Sequence, residues 1–324
     1  MTTLLISQPN FADHQTPPGH VERAERIRAV EATLAEPAFD NLLRREAQSA
    51  DLTLAELVHD GHYLAGLRTV RPAEGIGQID NDTFISAGSL DAAATGLGGA
   101  LAALDAVLLG EADNAFCAIR PPGHHAEIHR PLGFCLINTI AITAREAQRK
   151  YGAERIAIVD FDVHHGNGTQ DIFKADPTVF YASSHQMPLF PGTGRANETG
   201  IGNIVNAPLA PDTGGADMRT AYNELIFPAL IDFAPDILLV SAGFDAHQLD
   251  PLGGLNWIDN DYAWLTGRLM DIAERSCGNR IVSLLEGGYD LEGLSRGAAQ
   301  HVAMLANGTS LKPTTGQDND RKHK

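Results

Sequence analysis

Short apolar, β-rich runs at residues 115–119, 156–161, 178–183, 237–242 and 281–285 alternate with helically spaced stretches at 90–109, 138–150, 217–233 and 260–275. A strand that is apolar at nearly every position, rather than every second one, must be covered on both faces. Alternation of such strands with helices gives a parallel sheet between two helical layers. The pattern therefore predicts an α/β protein, a three-layer αβα sandwich around a doubly wound, mainly parallel sheet. No internal repeat or low-complexity block divides the 324 residues, and 44% of them are hydrophobic, enough for one large core. One domain is expected over 1–308. Residues 309–324 are polar, lack apolar periodicity and read as a disordered tail.

In an open sheet of this kind, ligands bind beyond the carboxyl ends of the strands. Four of the predicted strands run out into loops that carry chemistry. After Ile156–Val159 the sequence reads Asp160-Phe-Asp162-Val-His164-His-Gly-Asn167-Gly. Asp162 and His164 are two apart and project to one side of an extended chain. A hard oxygen and a borderline nitrogen offered together suit Zn²⁺ or another first-row divalent ion. After 115–119 comes Arg120-Pro-Pro-Gly-His124-His125, a forced turn before two adjacent imidazoles that suit proton transfer. After 237–242 comes Gly243-Phe-Asp245, whose carboxylate would complete three metal ligands and leave a fourth position open. After 281–285 comes Glu286-Gly287-Gly288-Tyr289. Paired glycines let a loop approach a ligand closely, and a phenol there can donate to a developing oxyanion.

Taken together, the order His-His, Asp-x-Asp-x-His-His-Gly, Gly-Phe-Asp, Glu-Gly-Gly-Tyr resembles the zinc-dependent deacetylases of the arginase/histone-deacetylase fold, over residues 14–305. Finer details are similar to the class II branch and its bacterial relatives, the histone deacetylase-like amidohydrolases. His20-Val-Glu-Arg-Ala-Glu-Arg-Ile27 matches their first motif except that Val21 and Ala24 replace prolines, and Asn167 stands where class I enzymes carry Asp. The resemblance implies that Asp162, His164 and Asp245 hold Zn²⁺, which polarises an acetyl carbonyl and lowers the pKa of water toward ~7. It further implies that His125, bonded to Asn167, is the base, that His124, paired with Asp160, stays charged, and that Tyr289 stabilises the oxyanion. Fe²⁺ is an alternative native metal.

The same resemblance assigns the acyl-lysine tunnel to Gly133, Phe134, Phe190, Gly287 and Gly288, with Asp82 contacting substrate backbone at the rim. Two aromatic rings make a slot for a four-carbon aliphatic stem. A structural K⁺ is implied at Asp160, the backbone oxygens of Asp162 and His164, and Ser183 with Ser184. A second, outer K⁺ site would fall near Phe173, Val179 and Asn203. Polyamine-selective relatives carry an acid after the Asp-Pro that follows the third ligand. Here Asp250-Pro251 is followed by Leu252, which resembles the gatekeeper of lysine deacetylases. A cation beside leucine without a counter-charge loses affinity. The expected substrate is thus an acetylated lysine peptide or protein, with a small acylated amine such as an acetylpolyamine as the alternative.

Cys117, Cys135 and Cys277 are odd in number and lack Cys-x-x-Cys spacing, which argues against a disulfide framework and a thiolate metal site. The N-terminus lacks a basic region followed by an apolar core, and no run of about 18 apolar residues occurs. A cytoplasmic protein without membrane contact is expected. The net charge of −17, from 24 basic and 41 acidic residues, opposes direct nucleic-acid binding and steers cationic substrates inward. A reading from another class, an acyl-lysine binder with little turnover, is disfavoured by the complete ligand set and Tyr289. An arginase-like dimetal hydrolase needs more Asp and His ligands than these motifs offer. The oligomeric state is open.

Overall fold

A computed structural model describes residues 1–311. Eight parallel strands form the main sheet: β1 (Thr3–Ser7), β2 (Leu43–Glu46), β5 (Asn114–Ala118), β6 (Ile156–Asp160), β7 (Val179–Gln186), β8 (Ile204–Leu209), β9 (Ile237–Ala242) and β10 (Ile281–Leu285). Their order across the sheet is β2-β1-β5-β10-β9-β6-β7-β8. A short antiparallel hairpin, β3 (Ile76–Gln78) and β4 (Phe84–Ser86), stands apart from it. The helices are α1 (Glu25–Leu34), α2 (Tyr63–Val70), α3 (Ser89–Leu108), α4 (Thr139–Tyr151), α5 (Asn167–Phe173), α6 (Gly215–Ala221), α7 (Phe227–Phe233), α8 (Asp259–Cys277) and α9 (Leu291–Asn307).

Alternation along each strand builds two cores, one per face. Leu4, Ile6, Ile156, Ile158 and Leu239 pack with α3 and α4 residues such as Leu97, Leu104 and Ile140. Leu5, Ala157, Val159, Leu238 and Val240 pack on the other face with α1, α8 and α9 residues such as Ile27, Leu265 and Val302. This is the three-layer α/β sandwich expected. The four central strands, β5, β10, β9 and β6, are the four that end in the motif loops. Winding thus gathers at one sheet end residues that lie up to 165 positions apart (289 − 124).

Some elements differ from the sequence reading. The stretch 217–233 is not one regular helix: α6 and α7 are joined by a wide π-type turn over Tyr222–Ile226. Pro228 has no N–H for the carbonyl four residues back, and the wide turn accommodates it. Strands β1, β2 and β8 and helices α1, α2, α5 and α9 were not among the predicted elements. β8 contains Pro208, which an edge strand tolerates. Helix α3 is long and apolar enough to cross a membrane, with mean hydropathy 1.3, but 72% of that window is buried. It is a core helix lying on the sheet. Of the expected tail 309–324, residues 312–324 lie outside the described residues.

Candidate active site

The loop after β6 turns Asp162 and His164 toward the carboxyl end of β9, where Asp245 follows Gly243. The His164 Nδ1 lies 3.0 Å from Asp162 Oδ1 and 3.1 Å from Asp245 Oδ2. One ligand atom from each residue lies within 4.8 Å of the others, and all three side chains are buried. Burial, reinforced by the Asp162 charge, pushes the Asp245 carboxyl up to about 7. Two carboxylates and one imidazole in a dry cluster hold more negative charge than His164 alone can offset. An O, O, N donor set of this kind fits a divalent first-row ion, with His164 Nδ1 the nitrogen that faces both carboxylates.

The carboxylates are also fixed from outside the cluster. Val163 N–H donates to Asp245 Oδ1 at 2.8 Å, and Gly287 N–H donates to Asp162 Oδ2 at 2.8 Å. A Cβ at Gly287 would stand 2.0 Å from Asp245 Oδ2, so the close approach itself requires glycine there.

The histidine pair sits beside this cluster with ring centroids 4.0 Å apart, and the two imidazoles have opposite environments. His124 Nδ1 donates to Asp160 Oδ2 at 2.9 Å, and its Nε2 lies 3.9 Å from Asp162 Oδ2. Burial opposes the charge on His124, but Asp160, Asp162 and Glu286 outweigh it and push the imidazolium up to about 10. His125 is held well below its ordinary range by burial and then by repulsion from His124 and His164. Its Nδ1 meets Asn167 Oδ1 at 2.8 Å, while Asn167 Nδ2 donates to Glu127 Oε1 at 2.6 Å. With its amide N–H engaged by Glu127, Asn167 presents only an acceptor, so Nδ1 carries the proton and Nε2 a lone pair.

Tyr289 is buried just before the N-cap Asp290 of α9. Its backbone N–H donates to Asp250 Oδ2 at 2.6 Å, and the Arg26 guanidinium lies 4.9 Å from its ring centroid. Burial lifts the phenol well above its ordinary value, so it remains a donor. Phe134 packs edge-on against Tyr289 at 5.7 Å, and Phe190 against His125 at 5.2 Å. The two predicted tunnel rings thus stand on different sides of the site. Gly133 lies between them with φ 54°; a Cβ there would come within 2.5 Å of the His125 ring and 3.0 Å of Phe190.

The rim residues fall close by. Asp82 is half-buried and accepts from Thr83 Oγ1 at 3.0 Å, and that hydroxyl accepts the Phe134 N–H at 3.2 Å. Leu252 is half-buried, its N–H donating to Asp250 Oδ1 at 2.9 Å. Gly288, with φ 118°, continues the same loop as Gly287.

Asp160 and Ser183 are register partners on β6 and β7. Asp160 accepts from His124, from the Tyr181 hydroxyl at 3.0 Å and from the Asp162 N–H at 3.2 Å. Ser183 Oγ lies 2.9 Å from His185 Nδ1, whereas Ser184, on the opposite strand face, has its hydroxyl 2.9 Å from that of Tyr222. Ser184 therefore has its backbone carbonyl, not its side chain, to offer on the Asp160 side. Near the expected outer cation site, Asn203 Nδ2 donates to the carbonyls of Phe173, Asp176 and Val179.

Sequence reasoning missed a supporting layer. Glu22 is fully buried and pairs with Arg120 at 2.7 and 2.8 Å and with Arg26 at 3.2 Å. Arg26 then donates to the carbonyls of Gly288, at 2.6 Å, and Glu286. Glu286 accepts the N–H groups of Gly123, at 2.7 Å, and His124, at 3.2 Å. The available signal was the Glu22/Arg26 spacing of four on α1 and its approach, a helical ion-pair spacing. Its partners lie far away in sequence and could not be read from it.

Comparison with known proteins agrees with this geometry. The family profile described as the histone deacetylase domain matches residues 20–305. A protein of Archaeoglobus fulgidus named probable deacetylase is 40% identical over 90% of this chain and 83% of its own length. The histone deacetylase-like amidohydrolase of Pseudomonas aeruginosa is 38% identical over 84% of this chain and 73% of its own. The crystal structure of the HDA15 HD domain superposes with a TM-score of 0.89 at 32% identity, covering 97% of this chain and 90% of that one. The chain therefore belongs to the histone deacetylase family, and its chemistry is that of a hydrolase of deacetylase type.

Proposed function

We propose that this protein removes acetyl or other short acyl groups from the side-chain amine of lysine, with Zn²⁺ held by Asp162, His164 and Asp245. The observation that carries this reading is the convergence of two differently supported histidines, His124 on Asp160 and His125 on Asn167, beside the buried ligand cluster. When bound, the ion supplies Lewis acidity to the acyl carbonyl and to water; Fe²⁺ would serve the same ligand set.

The chain's own groups move the protons. His125 Nε2 takes a proton from the attacking water and returns it to the departing lysine nitrogen, while Asn167 holds the tautomer. His124 stays protonated on Asp160 and offsets negative charge as the carbonyl carbon becomes tetrahedral. The Tyr289 hydroxyl donates to the new oxyanion. The C–N bond then breaks, giving a carboxylate and a free amine. A K⁺ at Asp160, the carbonyls of Asp162 and His164, and Ser183 with the Ser184 carbonyl would stiffen the loop that presents the ligands.

Leu252 supports acyl-lysine over acetylpolyamine, because no carboxylate stands at that position to meet a second ammonium. The test is acetate release by zinc-loaded protein from a matched acetyl-lysine peptide and acetylpolyamine, alongside Leu252→Glu. Faster peptide turnover, shifted toward polyamine by Leu252→Glu, is expected. Faster polyamine turnover by the unmodified protein would overturn the substrate assignment.

A further inference from the structure

A second cavity, of about 250 Å³, opens beside helix α2 and is lined by Asp60, His62, Tyr63, Gly66, Leu67, Val70, Ile79, His129 and Pro131. Two of its lining residues, Ile79 and Pro131, lie on the segments that lead to the tunnel rim. Pro131 is two residues before Gly133, and Ile79 is three before Asp82. Ile79 N–H donates to the Thr83 carbonyl at 2.8 Å, and Thr83 Oγ1 receives the Phe134 N–H at 3.2 Å. A chain spans at most ~3.6 Å per residue, so the cavity lies within about 11 Å of the rim. An extended substrate covers that gap in about three residues.

The lining indicates what would enter. Both oxygens of the Asp60 carboxylate already have a donor within the protein, His129 Nδ1 at 2.8 Å and the His62 N–H at 2.9 Å. Apart from the exposed His62 and His129, what remains open is apolar: Val70 is 49% exposed, and Leu67, Ile79, Tyr63 and Pro131 also line it. Gly66 is the informative residue. It lies inside α2, where glycine weakens a helix relative to alanine. Its backbone is not left-handed, and a Cβ placed on it meets nothing within 4 Å. Among the described residues no close approach accounts for a glycine there, and its effect is to leave the cavity wider.

Resting on the deacetylase reading above, we propose that this cavity receives a large apolar side chain of the peptide, within three residues of the acyl-lysine. The protein then selects acylated peptides by an apolar flank, and small acylated amines cannot use this contact.

The experiment compares kcat/KM of metal-loaded protein on a capped acetyl-lysine amide and on acetyl-lysine peptides. The peptides carry Leu, Phe or Gly one to three residues to either side of the acetyl-lysine. At one of these positions Leu or Phe should exceed Gly by about tenfold, or ~1.4 kcal/mol. Gly66→Leu, which fills the cavity from its wall, should erase that preference and leave the capped amide unchanged. Gly66→Ala, with a urea midpoint no lower than that of the unmodified protein, shows that a side chain at this position is compatible with the fold. Equal rates on Leu and Gly flanks, a preference that survives Gly66→Leu, or a capped amide slowed as much as the peptides would each overturn the proposal. If neither the capped amide nor any of the peptides is hydrolysed while metal is bound, the deacetylase reading itself fails. The cavity is then judged by fluorescence anisotropy of the same labelled peptides, where equal affinity for Leu and Gly flanks overturns it.

Discussion

Asp250 receives the backbone N–H of Tyr289 at 2.6 Å through one carboxylate oxygen and that of Leu252 at 2.9 Å through the other. A single buried side chain thus sets the height of the proposed oxyanion donor and of the gatekeeper together. Hydrogen bonds to a charged group are worth roughly 1.5–3 kcal/mol each. Asp250→Ala is expected to lower kcat by about 10- to 100-fold, each ~1.4 kcal/mol of lost positioning being tenfold. KM should change less, and Asp250→Asn should recover part of the loss. Steady-state kinetics on an acetyl-lysine peptide, with urea midpoints for folding, would read this. Wild-type kcat in a folded Asp250→Ala protein would remove Asp250 from the positioning of Tyr289.

The Tyr289 phenol is held protonated by burial, with the Arg26 guanidinium 4.9 Å from its ring centroid. Tyr289→Phe keeps the ring, its contact with Phe134 and the stacking on Arg26, and removes only the donor. Loss of one such donor typically costs about 10²–10³ in turnover. Tyr289→Phe should show a loss of that size in kcat with zinc content per chain unchanged. A near-normal kcat would mean that the oxyanion is stabilised by other groups.

Much of this site was legible because its chemistry is local. Each motif follows a strand, and parallel strands that end nearly level with one another, as β6 at Asp160 does with β9 at Ser241, present their loops at one edge. Asp162, His164, Asp245, the His124–His125 pair and Tyr289 could therefore be read from four short strings. The supporting layer could not. Glu22, Arg120, Arg26 and Asp250 act through partners 39 to 262 positions away, and pairing over such separations follows from winding order. The first segment, His20–Ile27, reaches Tyr289 through Arg26. Which atom Ser184 has to offer was likewise not legible: strand alternation turns its hydroxyl toward Tyr222 and leaves the carbonyl for the Asp160 side.

Metal should stabilise the fold as well as enable turnover, because Asp162 and Asp245 are buried close together and burial has already raised Asp245 to about 7. A ligand that binds only the folded chain adds ~2.7 kcal/mol at 100 times its Kd. Zinc added to chelator-treated protein should therefore raise Tm by several degrees. Asp245→Asn should lose most of that rise together with zinc retention on a desalting column. An unchanged Tm with zinc measurably bound would argue that the cluster is not the binding site.

Two buried histidines outside the ligand cluster should make the protein acid-sensitive. His59 Nδ1 lies 2.8 Å from the Glu127 carbonyl, and its Nε2 accepts the Asn138 N–H at 3.0 Å, so both ring nitrogens are engaged by a neutral ring. Burial outweighs that carbonyl and the Asp60 charge and lowers His59 to about 4. His301 lies between Thr266 at 2.7 Å and Ser283 at 3.0 Å, and burial lowers it to about 3. In the unfolded chain both titrate near ~6.5. Between that value and the folded one the unfolded state binds more protons, so stability falls as pH drops. Each unit is ~1.36 kcal/mol, so His59 alone removes about 3 kcal/mol between pH ~6.5 and ~4. Above ~6.5 neither contributes a pH dependence. Urea midpoints at pH 7, 6 and 5 should decline in the unmodified protein. They should decline less steeply in His59→Gln, whose amide can supply the same donor and acceptor. Parallel declines in the two proteins would show that protonation elsewhere governs acid unfolding.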